Sequence, residues 1–126
     1  MTALVLDAGA LIAVDRGDRY MQRKIQDAVR IGDPVRTNPN AVAQVWRDGA
    51  KQARLARLLR DVNIEPITHE DGCRAGELLG ATRTKDVVDA TVALLAQDDD
   101  EVYTSDPNDL KTLCAATGFK ALVIGC

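Results

Sequence analysis

Leu4-Val5-Leu6-Asp7-Ala8-Gly9-Ala10-Leu11-Ile12-Ala13 is the stretch on which the fold turns. Three apolar residues in a row predict a buried parallel strand over Leu4–Leu6, and the small residues after Asp7 let the chain turn directly into a helix over Ala8–Val14. A carboxylate at the carboxyl end of such a strand lies where open α/β sheets place their ligands. On position alone Asp7 reads first as a turn or helix-cap residue. It becomes a site residue only with partners, and two later segments offer them: Asp86 in KDVVDATVALLA and Asp106 in EVYTSDPNDL.

Working outward, the polar turn DRGDR interrupts the first helix. Met21, Ile25, Ala28 and Val29 then recur at helical spacing and predict an amphipathic helix over Met21–Ile31, stopped by Gly32. Pro34–Thr37 is a short strand. Asn38 followed by Pro39 has the form of an N-cap and a first-turn proline, opening a helix through Gln44 and Trp46, and Lys51–Arg60 continues helically. Val62–Ile67 is the next strand, ended by Thr68, which caps a helix over Glu70–Ala81. A helix from Thr84 or Lys85 through Ala96, a strand over Val102–Thr104, a helix over Pro107–Ala116 and a strand over Ala121–Ile124 complete the chain. Strands alternating with helices predict an α/β domain, three layers deep, with a central parallel sheet of four to five strands covered on both faces. If the first strand is central and the fourth pairs beside it, Asp7 and Asp106 flank the topological switch point and face one crevice.

Composition narrows the function classes. With 126 residues, 46% of them hydrophobic and 28% charged, residues 1–126 form one domain with a core of its own. An aromatic content of 3% leaves few platforms for stacking bases, and a net charge of −3 argues against nucleic-acid binding by bulk charge. Neither excludes an enzyme that gathers its acids around cations. Cys73, Cys114 and Cys126 are odd in number and far apart, so neither a disulfide framework nor a CxxC zinc site is expected. No apolar stretch reaches bilayer length, and the first is too short for a signal peptide. The expectation is a cytoplasmic protein.

Two carboxylates about 4 Å apart repel by roughly 4 kcal/mol at an effective dielectric near 20, so a cluster persists only when protonated or neutralised by cations. Oxygen ligands select magnesium or manganese, and such a cation activates water and stabilises charge on a phosphoryl oxygen. Phosphodiester hydrolysis is the reaction class. Asp86 gains from a helix N-terminus, and Asp89, three residues on, projects from nearly the same face. Plainer readings stand beside these. Asp86 and Asp106 are each placed to cap a helix, Asp109 is a surface residue, and Asp98-Asp99-Asp100 is a solvated loop. Trp46 is a core or subunit-interface anchor. Arg47, Lys51, Arg54, Arg57 and Arg60 are solvated charge or, less simply, an edge that tracks phosphates. His69 is the single histidine, so a histidine-based hydrolase has little to build with.

The ordered set LDAGALIA, NPNAVAQVW, KDVVDATVALLA and VYTSDPNDL resembles the PIN-domain family, specifically the VapC-type ribonuclease toxins of bacterial toxin–antitoxin pairs. No one motif is specific; the combination, in this order and over nearly the whole chain, is. The resemblance implies an α/β/α fold, magnesium- or manganese-dependent endoribonuclease activity, homodimerisation, and inhibition by a VapB-like antitoxin whose tail enters the active-site groove. Asp7 matches the first family acid, Asp86 the third, with Ala90 and Ala93 behind it, and Asp106 the fourth; Asp109 matches an auxiliary acid. At the second acid the family usually has glutamate, and the matching position here is Gln44. An amide keeps the size and an acceptor oxygen but gives up a charge, which Asp89 is placed to supply from the neighbouring helix. Gly9 likewise stands where a hydroxyl or amide residue often helps order the site.

The mechanism expected is that Asp7, Asp86 and Asp106 hold one or two divalent cations while a metal-activated water attacks the phosphate in line, with Arg47 and Lys51 positioning the RNA backbone. Two other classes are weighed against it. A PIN fold that has lost catalysis through Gln44 would persist as a binding or assembly module. A phospho-acceptor receiver domain needs an acidic pair after the first strand and a lysine after the fifth; Asp7 stands alone, and Gly125-Cys126 follows the last strand.

Overall fold

The computed structural model describes residues 2–126. In chain order its elements are β1 (Leu4–Leu6), α1 (Ala8–Asp15), α2 (Arg19–Ile31), β2 (Val35–Thr37), α3 (Pro39–Val45), α4 (Ala53–Leu59), β3 (Asn63–Ile64), α5 (His69–Thr82), α6 (Val87–Ala93), β4 (Glu101–Thr104), α7 (Pro107–Thr117) and β5 (Leu122–Gly125). The five strands form one parallel sheet in the order β3-β2-β1-β4-β5. β1, the run of three apolar residues, is buried throughout and lies in the middle. β2 pairs on one side of it (Leu4 with Val35) and β4 on the other (Leu6 with Tyr103). The chain winds first through β2 and β3, then crosses to β4 and β5. The switch point between β1 and β4 is therefore the one expected, and Asp7 and Asp106 both follow the carboxyl ends of its strands.

Local chemistry explains the boundaries. Asp18 caps α2 through the Tyr20 amide, and Gly32, at φ 88°, ends it in the left-handed conformation that glycine adopts without a Cβ penalty. Asn38 caps α3 through the Ala41 amide, with Pro39 in the first turn. Thr68 and Asp71 cap α5 reciprocally, each side chain accepting from the other's backbone N–H. The core is aliphatic, with Val5, Leu6, Leu11, Met21, Ile25, Leu55, Val92 and Leu113 at its centre.

Several expectations change. The third strand shrinks from Val62–Ile67 to Asn63–Ile64, exposed at the sheet edge; one more ladder bond follows, from the Glu65 amide to the Thr37 carbonyl, and then Pro66, with no N–H to donate, ends the pairing. α6 begins after Asp86 rather than at Thr84 or Lys85 and ends at Ala93. Lys51 lies outside any helix. The segment between α3 and α4 is instead a turn held by the buried Gln52 side chain, whose Oε1 accepts from the Arg47 and Asp48 amides (2.7 and 3.0 Å) and whose Nε2 donates to the Val45 carbonyl (3.0 Å). Trp46 is not a core anchor: it is 38% exposed, and its ring lies so close over Gly49 that a Cβ there would meet it at 2.6 Å.

The acidic run is not uniformly solvated either. Asp98 and Asp99 are exposed, but Asp100 is buried, with Oδ1 accepting from the Ala3 amide (3.0 Å), Oδ2 from the Gln97 amide (2.9 Å), and Arg36 3.8 Å away. Its carboxylate fastens the start of β1 to the turn before β4. Asp100→Ala leaves one buried and one part-buried donor unpaired, and urea unfolding is expected to register a loss of about 2 kcal/mol; an unchanged midpoint would mean that water takes over both bonds.

Candidate active site

Asp7 is the N-cap of α1, and both of its carboxylate oxygens are committed. Oδ1 accepts from the Ala8 amide and Oδ2 from the Thr104 hydroxyl, each at 2.7 Å. Its own amide donates to the Tyr103 carbonyl at 3.0 Å. The Thr104 oxygen accepts in turn from the Asp106 amide at 2.9 Å, so one buried hydroxyl orients two acids carried by two strands. Thr37, at the end of β2, similarly donates to the Leu6 carbonyl at 2.8 Å. Neither threonine was among the expected site residues. The only sequence signal for Thr104 is its place just ahead of Ser-Asp-Pro, where a hydroxyl can close a turn on the backbone.

Asp86 caps α6, its Oδ1 accepting from the Asp89 amide at 3.0 Å. Asp106 occupies the N-cap position of α7 but makes no capping hydrogen bond. Its carboxyl lies beside that of Asp109: the interaction with the Asp109 side chain, then burial, then the charges of Asp109, Asp7 and Asp86 push its pKa upward. Asp89 is 6% exposed, and its Oδ2 has no partner among the described residues. Burial first, then the charges of Asp7, Asp86 and Asp106, raise it to about 7. One oxygen each from Asp89, Asp106 and Asp109 lie within 4.8 Å of one another.

The structure thus brings Asp7, Asp86, Asp89, Asp106 and Asp109 to one end of the sheet, with Asp7 and Asp89 buried and Asp89 alone of the two left with an unpartnered oxygen among the described residues. Gln44 is exposed on α3, which packs against α1 and α6. One turn earlier on the same helix, Asn40 reaches the Thr91 hydroxyl at 3.4 Å, so this face of α3 runs alongside α6. Arg47, just beyond α3, turns back on the end of that helix, donating to the Ala43 and Trp46 carbonyls at 3.0 and 2.7 Å. Lys51 lines a depression with Asp15, Arg54 and Arg57. Neither cation forms an ion pair with the acids among the described residues.

Gly9 completes the arrangement. A Cβ there would lie 2.5 Å from both the amide nitrogen and the hydroxyl oxygen of Ser105, so the turn into α1 can press against the end of β4 only because position 9 carries no side chain. The space that a hydroxyl at position 9 would fill is taken by the hydroxyl of Ser105.

A carboxylate oxygen that is buried, unpaired and surrounded by other carboxylates is costly by itself, and a hard cation is the ligand that satisfies it. On that test the donor set fits a divalent metal.

No protein-family model matches the sequence, and no curated protein sequence matches it. Among solved structures the chain is similar to one in the crystal structure of VapBC2 from Rickettsia felis bound to a DNA fragment from their promoter, with a TM-score of 0.70 at 10% sequence identity. The superposition covers 100% of this chain and 99% of that one. At that identity the likeness speaks for the architecture. The fold is PIN-like, three layers around a five-stranded parallel sheet, and it is shared end to end with a chain of a VapBC assembly.

Proposed function

We propose that this protein is a Mg²⁺- or Mn²⁺-dependent endoribonuclease of the VapC type, acting in the cytoplasm as a homodimer and neutralised by a VapB-like antitoxin. The observation that carries the reading is Asp89: a buried carboxylate with an unpartnered oxygen, ringed by Asp7, Asp86 and Asp106. Asp7, Asp86 and Asp106 would hold the cation, and Asp89 would supply the charge that Gln44 does not. A divalent ion bound there supplies a more acidic water and relief of charge on the phosphoryl oxygens. Everything else is the work of the chain. Thr104 keeps Asp7 and Asp106 in register, the α6 N-terminus holds Asp86, and Asp109 lies beside Asp106 at the edge of the cluster.

The antitoxin reading draws support from a cleft of about 400 Å³ between α1, α2 and α4. Val14, Ile25, Val29 and Leu58 give it an apolar floor, and Arg54 and Arg57 line both this cleft and the depression that contains Lys51. An amphipathic segment with acidic residues along one edge is the complement of that surface.

The test is cleavage of a structured RNA pool with magnesium, manganese or chelator, comparing wild type, Asp7→Asn and Gln44→Glu. Metal-dependent cuts that vanish with Asp7→Asn are expected. The neutral amide at position 44 favours one other reading, a PIN-fold binding module without catalysis. In that case wild type stays silent and calorimetric titration with Mn²⁺ finds no site. Cutting by Gln44→Glu alone would show an intact scaffold with reduced native activity.

A further inference from the structure

The acids alone would repel a nucleic acid, and neither Arg47 nor Lys51 is directed at them. An open groove of about 490 Å³ leads away from the cluster along α1. Gly9, Ile12, Ala13 and Arg16 form its long wall, spaced so that they share one stripe of the helix. Its near end is Gly9 against Ser105, each within two residues of a site acid: Asp7 on one strand end, Asp106 on the other. Cys126 also lines the groove. The far end is Arg16, the C-cap of α1, an exposed cation whose guanidinium forms no ion pair among the described residues. Asp18, the other charged residue lining the groove, has an oxygen engaged as the cap of α2. The wall between is apolar, with no side chain at position 9, the Ile12 side chain and a methyl at Ala13.

We infer that this groove carries the RNA strand out of the site, with Arg16 as the side chain that binds its backbone phosphate. This rests on the nuclease reading above. Seven residues of helix separate Gly9 from Arg16, roughly 10 Å at 1.5 Å per residue. That is at most about three nucleotides from the cut, taking 3.4 Å per step of a strand. A guanidinium at that distance positions the chain without touching the reacting phosphate, and it does so in a protein whose net charge of −3 provides no bulk attraction.

The test measures kcat and KM for wild type, Arg16→Ala, Arg16→Lys and, as a remote control, Arg74→Ala on α5, together with the salt dependence of KM. Arg16→Ala is expected to raise KM about tenfold with a much smaller change in kcat, and Arg16→Lys to recover most of the loss. The log–log salt slope of Arg16→Ala should flatten by about 0.7, the loss of one phosphate contact on a single strand. An unchanged KM and slope, or the same change with Arg74→Ala, would overturn the assignment while leaving the nuclease intact. If wild type cuts nothing with either metal, the nuclease reading fails separately. Arg16 is then judged by anisotropy with a 5′-labelled single-stranded RNA, where equal affinity of wild type and Arg16→Ala overturns the groove as well.

Discussion

Metal-free protein is expected to lose stability as the pH rises from about 4 to about 7, and Asp89→Asn to abolish most of that loss. An Asp89 carboxyl held near 7, against 3.8 for an ordinary aspartate, binds its proton more tightly in the folded than in the unfolded chain. The unfolded state therefore releases it first, and stability falls as pH climbs between those two values. Once Asp89 ionises in the folded state the cost is roughly 4 kcal/mol, an upper figure for one carboxyl among several interacting acids. Asp106, also raised by its neighbours, adds to the trend in the same direction. In thermal melts this corresponds to a fall in Tm of about 10 °C. Millimolar Mn²⁺ should reverse it at pH 8, since a ligand bound only by the folded state stabilises by mass action. Asp89→Asn removes the titration, flattens the profile and abolishes the response to metal. Cleavage should drop with it by at least about 10³-fold, the scale on which lost electrostatic stabilisation shows in catalysis. Parallel pH profiles for wild type and variant would sink the idea that Asp89 is the strained member of the cluster.

Gly9→Ala is expected to be the most damaging change available that adds only one methyl. The new Cβ would meet the Ser105 amide nitrogen and hydroxyl oxygen, both at 2.5 Å. The side chain can rotate away, but the backbone nitrogen cannot, so β1 and β4 would have to separate at the point where Asp7 meets Thr104. Overpacking of this kind costs about 3 kcal/mol, and the displacement should disable the site even in the folded fraction. Urea unfolding with a cleavage assay reads both. Ser105→Gly should rescue the double variant only in part, because the amide clash remains. Gly76→Ala provides the contrast: it lies within α5 with nothing within 4 Å of the added carbon, and is expected to stabilise by about 0.5 to 1 kcal/mol through helix propensity alone.

What the sequence made legible was whatever depends on neighbours along the chain. The apolar run of β1, the periodicity of α2, the Asn38-Pro39 start of α3 and the Thr68 cap of α5 are all local, and all are found. What depends on pairing was hidden. Asp100 looks like its neighbours Asp98 and Asp99 until its partner Ala3, 97 positions away, is placed beside it. Asp106 has the sequence of a cap and does not cap. Asp89 was legible as a second acid on the face of Asp86, but its burial follows from the packing of α6 and could not be read from spacing. Thr104 and the contact of Gly9 with Ser105 exist only because β1 and β4 lie side by side.

That last pairing has a consequence in time. β1 leaves the ribosome before the other four strands of its sheet, yet one of its two neighbours is β4, where Glu101 pairs with Leu4. Until then β1 has an unpaired edge, Asp7 lacks the hydroxyl that orients it, and Asp106 has not been synthesised. The pairing of β1 with β4 is a long-range step of the kind that slows folding. An unfinished copy of this protein therefore has no assembled acidic centre until Asp106 and Asp109 have been added behind β4.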